Sequence, residues 1–207
     1  MSRFGSDPLD FFNFVYTDIP PWDIGAAQPA MATLLERFPP TSPVLDVGCG
    51  SGDLSIHLGR LGYEVVGVDF VASAIESAQA KRLALPPRVA PLLDFRIADA
   101  LKPSLLGQRF GSVVDSGFLH LFDLEQCDPY IDEVAAILQP HGHLYLHEFA
   151  VEVPVPNMPR AISEGELRAR FTAERGWRIR EIQTVEFLSR VPPPVPAICA
   201  CIERQPG

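Results

Sequence analysis

Two hydrophobic periods share this chain. Short apolar or alternating runs rich in β-branched residues fall at positions 44–47, 64–69, 94–98, 112–115, 144–149, 178–186 and 198–203. Such runs read as strands. Helical spacing covers 53–61, 72–83, 129–138 and 163–173, the last opening on Ser163-Glu164-Gly165-Glu166, which has the pattern of a capping box. Strands alternating with helices predict a mostly parallel α/β sheet covered by helices on both faces. The last two strands have only a proline-rich link between them, so they are expected to pair antiparallel at one end of the sheet.

Proline marks the joints. The chain has 21 prolines among 207 residues, clustered at 20–21, 39–40, 86–87, 154–159 and 192–196. Proline cannot donate to a sheet ladder or continue a helix interior, so these clusters separate the elements. One domain spanning residues 1–207 is expected, with residues 1–40 as an N-terminal arm capping the site.

The first strand runs into Asp46-Val47-Gly48-Cys49-Gly50-Ser51-Gly52, directly before helical spacing begins. Glycine there permits a sharp turn and close approach of a ligand to the main chain. The exposed N–H groups of the following helix favour an anionic group. The spacing is G-x-G-x-G, whereas the dinucleotide fingerprint needs a third glycine one position later, where Asp53 stands. No Gly-Lys-Ser/Thr follows, so the phosphate-cradling P-loop pattern fails as well. Asp46 suits a ligand carrying positive charge. Asp69 ends the second strand, followed by Phe70, and suits ribose hydroxyls. Asp99 and Ala100 end the third, where the acid can accept from an adenine amino group. Asp115 and Ser116 end the fourth.

These motifs resemble those of class I S-adenosylmethionine-dependent methyltransferases over about residues 40 to 205. The resemblance implies a seven-stranded Rossmann-like sheet of order 3-2-1-4-5-7-6 with the last strand antiparallel. It also implies S-adenosylmethionine as cofactor, with S-adenosylhomocysteine as product. Cofactor contacts are expected at Trp22, Asp46, Gly48, Cys49, Gly50, Gly52, Asp69, Phe70, Asp99, Ala100, Asp115 and Ser116. Ahead of the core, Pro21-Trp22-Asp23-Ile24-Gly25-Ala26-Ala27-Gln28-Pro29 is similar to a segment of thiopurine, thiol and tellurite methyltransferase-like proteins. In those relatives it caps the cofactor, and an indole face beside a sulfonium is a favourable cation–π contact. Trp22 equally suits a packing anchor for the arm.

Acceptor contacts are expected from Phe11, Phe14 and Tyr16 in the aromatic arm, and from Phe118, His120, His147 and Glu148 at strand ends. Alternation sends His147 and Glu148 to opposite sides, so one of them is expected in the pocket. His120 is the candidate catalytic base, its ordinary pKa being near 6.5; a packing or capping role stays open. A small, largely apolar or aromatic acceptor, methylated on oxygen, sulfur or nitrogen, is the reading carried forward. A protein that binds S-adenosylmethionine without methylating, and a nicotinamide-dependent oxidoreductase, remain as alternatives.

Charge and cysteine content narrow the partners. The net charge of −9 disfavours nucleic acid. No apolar stretch approaches the roughly 18 residues of a membrane helix, and the first residues lack a signal-peptide core. Four cysteines, Cys49, Cys127, Cys199 and Cys201, show no metal-ligand spacing. A cytoplasmic monomer or homodimer with free thiols and no metal is expected.

Overall fold

The computed structural model describes residues 8–153 and 158–206. Residues 1–7 of the expected arm, and residues 154–157 of the proline cluster at 154–159, lie outside the described residues.

Seven strands form one sheet: β1 (Val44–Val47), β2 (Val65–Asp69), β3 (Leu93–Ile97), β4 (Phe110–Ser116), β5 (Leu138–Phe149), β6 (Trp177–Phe187) and β7 (Val195–Arg204). Their order is β3-β2-β1-β4-β5-β7-β6, as the resemblance implied. β1 pairs parallel with both β2 and β4, while β7 runs antiparallel to β5 and β6. The helices are α1 (Pro8–Val15), α2 (Pro29–Arg37), α3 (Asp53–Arg60), α4 (Ala72–Leu83), α5 (Leu124–Ile137) and α6 (Glu164–Arg170).

Alternation along β1 divides the core. Leu45 and Val47 join Val113, Leu144 and Ile202 on one face, whereas Val44 joins Leu58, Val65, Val114 and Tyr145 on the other. All four residues of β1 are buried, as befits a central parallel strand covered on both sides. No helix among the described residues is long and apolar enough to cross a membrane. All four cysteines are free thiols.

Three elements differ from the sequence reading. α5 begins at Leu124, not near 129, because Asp123 and Gln126 form a capping box and Pro129 sits inside the first turns. Pro129 there resembles a helix start only when the cap is overlooked. β5 begins at Leu138 and reaches its regular register at His143 after an irregular stretch that includes His141, at φ 63°. The third departure concerns the arm. α2 buries Met31, Leu34 and Leu35 against the face formed by Val44, Val114 and Tyr145, so it belongs to the helical layer, not to the cap. Of the described arm residues, only those ahead of α2 line the cavity over the strand ends.

Candidate active site

The strand order reverses between β1 and β4, and a cavity opens there beyond the strands' carboxyl ends, where open α/β sheets bind ligands. Its volume is about 330 Å³. One end is built from Asp46, Gly48, Cys49, Gly50, Ser51, Asp69 and Phe70. The other is built from Phe118, His120, Leu121, Phe149, Met158 and Phe187. α1 and the segment from Pro21 to Gln28 roof it with Phe11, Phe12, Tyr16 and Trp22.

The glycine loop turns because Gly48, Gly50 and Gly52 hold φ of 62°, 53° and 83°. These angles are natural for glycine and strained for other residues. Space is short as well. A Cβ on Gly50 would stand 2.7 Å from the Tyr16 hydroxyl, and one on Gly48 would stand 2.8 Å from the Phe118 ring.

Two acids line this end. Asp69 Oδ2 accepts from Gly50 N–H at 3.0 Å and Oδ1 from Val71 N–H at 2.9 Å. Each carboxylate oxygen has a further lone pair for a ligand. Asp46 is almost wholly buried, and its Oδ2 accepts from the Ser55 hydroxyl at 2.6 Å. Burial, reinforced by the charges of Asp115 and Asp69, pushes its carboxyl up to about 7. Burial likewise raises the Cys49 thiol well above its ordinary value, so this cysteine is not a ready nucleophile.

The segment containing Trp22 is anchored at both ends. Asp23 accepts from Ser51 Oγ, and Lys81 Nζ donates to Ser51 Oγ at 2.7 Å and to Asp53 at 2.9 Å. The Gln28 amide makes a reciprocal pair with Leu188, donating to its carbonyl at 3.0 Å and accepting from its N–H at 2.9 Å. Trp22 packs edge-on to Phe12 and Tyr16, with ring centroids 6.2 and 6.1 Å away, and also lines the cavity. Both readings of this tryptophan therefore have a place in the geometry.

His120 lies in the cavity wall at the opposite end, with Nδ1 turned away toward β5. Burial, with His147 and Arg160 nearby, pushes its imidazole down to about 3. A base titrating near 6.5 is therefore not what the fold builds here.

Of the other expected site residues, Trp22, Phe11, Tyr16, Asp46, Gly48, Cys49, Gly50, Asp69, Phe70, Ser116 and Phe118 line the cavity. Seven do not, and each has a structural reason. Phe14 is 76% exposed on the outer side of α1. A Cβ on Gly52 would stand under 3 Å from Phe95 and Ala78, so glycine there permits helix packing beneath the loop. Asp99 is exposed and caps its own turn by accepting from Leu101 N–H at 2.9 Å, and Ala100 packs in the core. Asp115 is fully buried beneath the loop after β4, accepting from Phe118 N–H, Leu119 N–H and the Tyr130 hydroxyl. His147 stacks on Phe187 at 4.6 Å, and Glu148 is buried behind His120. Neither of that pair faces the cavity; Phe149, one residue on, does.

Sequence reasoning missed Leu121, Phe149, Met158 and Phe187. Phe149 and Phe187 end β5 and β6, and an apolar residue at a strand's mouth end was the available signal. Met158 carries no local signal, because a long connection brings it over the cavity.

The residues present fit a ligand with a sulfonium and an ammonium group. The glycine cradle would be filled by any Cβ, and the charged side chains among the described wall residues, Asp23, Asp46, Asp53 and Asp69, are all acids. A family model described as a methyltransferase domain matches residues 44–142. The chain is 28% identical over 165 residues to the 2-heptyl-1-hydroxyquinolin-4(1H)-one methyltransferase of Mycobacteroides abscessus, covering 79% of this chain and 70% of that protein. A solved structure concerned with conversion of a disulfide bond into a thioacetal group during echinomycin biosynthesis superposes with a TM-score of 0.81. It is 29% identical and covers 95% of this chain and 93% of its own.

The chain belongs to the class I S-adenosylmethionine-dependent methyltransferases. S-adenosylmethionine is the cofactor of the family. A further relative, the mitochondrial ubiquinone biosynthesis O-methyltransferase of Homo sapiens, is 32% identical over 105 residues, which cover 50% of this methyltransferase and 27% of that protein.

Proposed function

We propose that this methyltransferase acts on oxygen or sulfur of a small, largely apolar or aromatic molecule. The observation that carries the reading is the two-ended cavity. Its glycine-and-acid end adjoins an end walled by Leu121, Phe149, Met158 and Phe187, and no Lys or Arg side chain lines either among the described residues. A carboxylate- or phosphate-bearing acceptor would find no cationic partner there. An apolar ring would bury its surface against the faces of Phe118, Phe149 and Phe187. The mycobacterial relative is named for an N-hydroxyquinolone, which agrees with an acidic hydroxyl on an apolar body, and the echinomycin structure concerns chemistry at sulfur.

When bound, S-adenosylmethionine supplies a methyl group already activated on a sulfonium. The chain's own work is then placement and exclusion of water. Asp69 would hold the ribose hydroxyls with its remaining lone pairs, and Asp46 would face the ammonium group. The N–H groups of the glycine loop and the start of α3 would receive the carboxylate. Phe12, Tyr16 and Trp22 close the roof.

The test has two parts. Calorimetric titration with S-adenosylhomocysteine should show binding, and NAD should show none. Mass-spectrometric assay of a panel of acidic heteroaromatic hydroxyls and thiols, including 2-heptyl-1-hydroxyquinolin-4(1H)-one, should find methylated product. Cofactor binding with no product from any panel member would point instead to a non-methylating binding protein or another acceptor class.

A further inference from the structure

The Nδ1 of His120 is already an acceptor. The Phe149 backbone N–H is aimed at it, with nitrogens 3.2 Å apart. A ring nitrogen that accepts carries no proton, so the single proton of the neutral imidazole sits on Nε2. Nε2 lies beside Gly117, itself a wall residue, whose carbonyl offers it a resting partner.

The groups packed around the ring sustain this tautomer. Glu148 Oε2, from β5, stands 3.1 Å from Nδ1 and accepts from the His120 backbone N–H at 3.1 Å. An ionised Glu148 would draw a proton onto Nδ1, and that proton would collide with the Phe149 N–H. Asp115, from β4, prevents this. It takes three donors, from Phe118, Leu119 and Tyr130 of the following loop and α5, so it holds the negative charge of the buried pair. Burial and that neighbouring charge hold Glu148 well above the usual carboxylate range and keep its proton on. His147 faces Phe187, and Arg160 is neutralised by Glu166 while its backbone N–H donates to the His120 carbonyl at 3.0 Å.

Resting on the function proposed above, we infer that His120 is a specificity-determining hydrogen-bond donor, presenting Nε2–H to an acceptor that arrives already ionised. The acceptor class is an acidic hydroxyl or thiol that loses its proton to solvent without help from the protein. Its anionic lone pair forms the new bond to the methyl carbon as the carbon–sulfonium bond breaks, and that bonding pair stays on the sulfur. His120 then neither gains nor loses a proton. It steadies the anion in an otherwise apolar wall.

The ring itself gives the first test. Nitrogen-15 NMR of the protein loaded with S-adenosylhomocysteine, assigned with His120→Gln, should show a protonated Nε2, a bare Nδ1 and no titration across the neutral range. A protonated Nδ1, or a ring that titrates near neutrality, overturns the inference whether or not any acceptor has been found. Kinetics with a methylated panel member gives the second. His120→Gln keeps an N–H donor in nearly the same place and no base, so kcat should stay within a few-fold of wild type. His120→Ala should raise the acceptor KM by about tenfold, the scale of one hydrogen bond to a charged group. Equal collapse of kcat in both variants would restore the base. If no panel member is methylated, the proposed function fails while the ring measurement still decides the tautomer.

Discussion

Gly50 N–H donates to Asp69 Oδ2 at 3.0 Å, so one carboxylate ties the loop after β1 to the end of β2. Val71 N–H, at the start of α4, donates to the other oxygen. Asp69 therefore shapes the cradle as well as facing the ligand. Asp69→Ala should weaken S-adenosylhomocysteine binding by about 1–3 kcal/mol and also lower thermal stability, since two backbone donors lose their partner. Asp69→Asn, with one acceptor oxygen left, should recover part of each loss. Calorimetry beside a melting curve separates the two effects. Unchanged affinity in the alanine variant would make Asp69 purely structural.

That double duty shows what was legible. Asp46, the glycine loop and Asp69 could be read from sequence because a strand, its turn and the next helix start are contiguous, and their chemistry follows from spacing. The sheet order followed from the resemblance. The wall around His120 could not be read. Phe149 and Glu148 of β5 meet the ring, Asp115 of β4 stands beside Glu148 and takes the Tyr130 hydroxyl from α5, and the pairing of β4 with β5 brings these carboxyl groups together. Asp99 lies outside the cavity lining, and spacing alone does not separate a strand-end acid on the cavity wall from one that, as here, caps its own turn through Leu101. Pro129 misled because its cap lies six residues upstream, at Asp123.

Gly50→Ala meets two penalties at once. Its φ of 53° costs an L-residue roughly 1–2 kcal/mol, and the new methyl would stand where the Tyr16 hydroxyl lies. Tyr16 must move, and Trp22 packs edge-on to it. The variant should lose cofactor affinity and shift its tryptophan fluorescence, while the circular dichroism of the sheet stays unchanged. A spectrum and affinity like the wild type would show that Tyr16 does not rest on the loop in solution.

Phe12 is the buried anchor of α1, packed against Phe70, Val71 and Ala74 apart from the main core. Such satellite clusters open more readily than the core. Phe12→Ala should therefore free the arm without unfolding the domain. The expected signature is faster hydrogen exchange over residues 8–22, and a larger rise in acceptor KM than in the cofactor dissociation constant. Global loss of protection would mean that the arm is part of the folding unit.

Asp46 links pH to both stability and binding. Unfolded, its carboxyl titrates near 4; folded, burial raises it to about 7. Between those values the native protein holds a proton that the unfolded chain has released. Stability of the ligand-free protein is thus favoured below about 4 and falls as pH rises toward 7, by up to about 1.4 kcal/mol per pH unit from this group. Binding has the opposite slope, because a cationic ammonium group needs the carboxylate. Affinity for S-adenosylhomocysteine should rise with pH until about 7, with release of up to one proton per ligand. It should fall again only at the higher pH where the ligand's own α-amino group loses its charge. Titrations in buffers of different ionisation enthalpy count the proton directly. Asp46→Asn should abolish the rise and the release, and should stabilise the ligand-free protein at pH 8. A flat affinity between pH 5 and 7 in the wild type would remove Asp46 from the ammonium site.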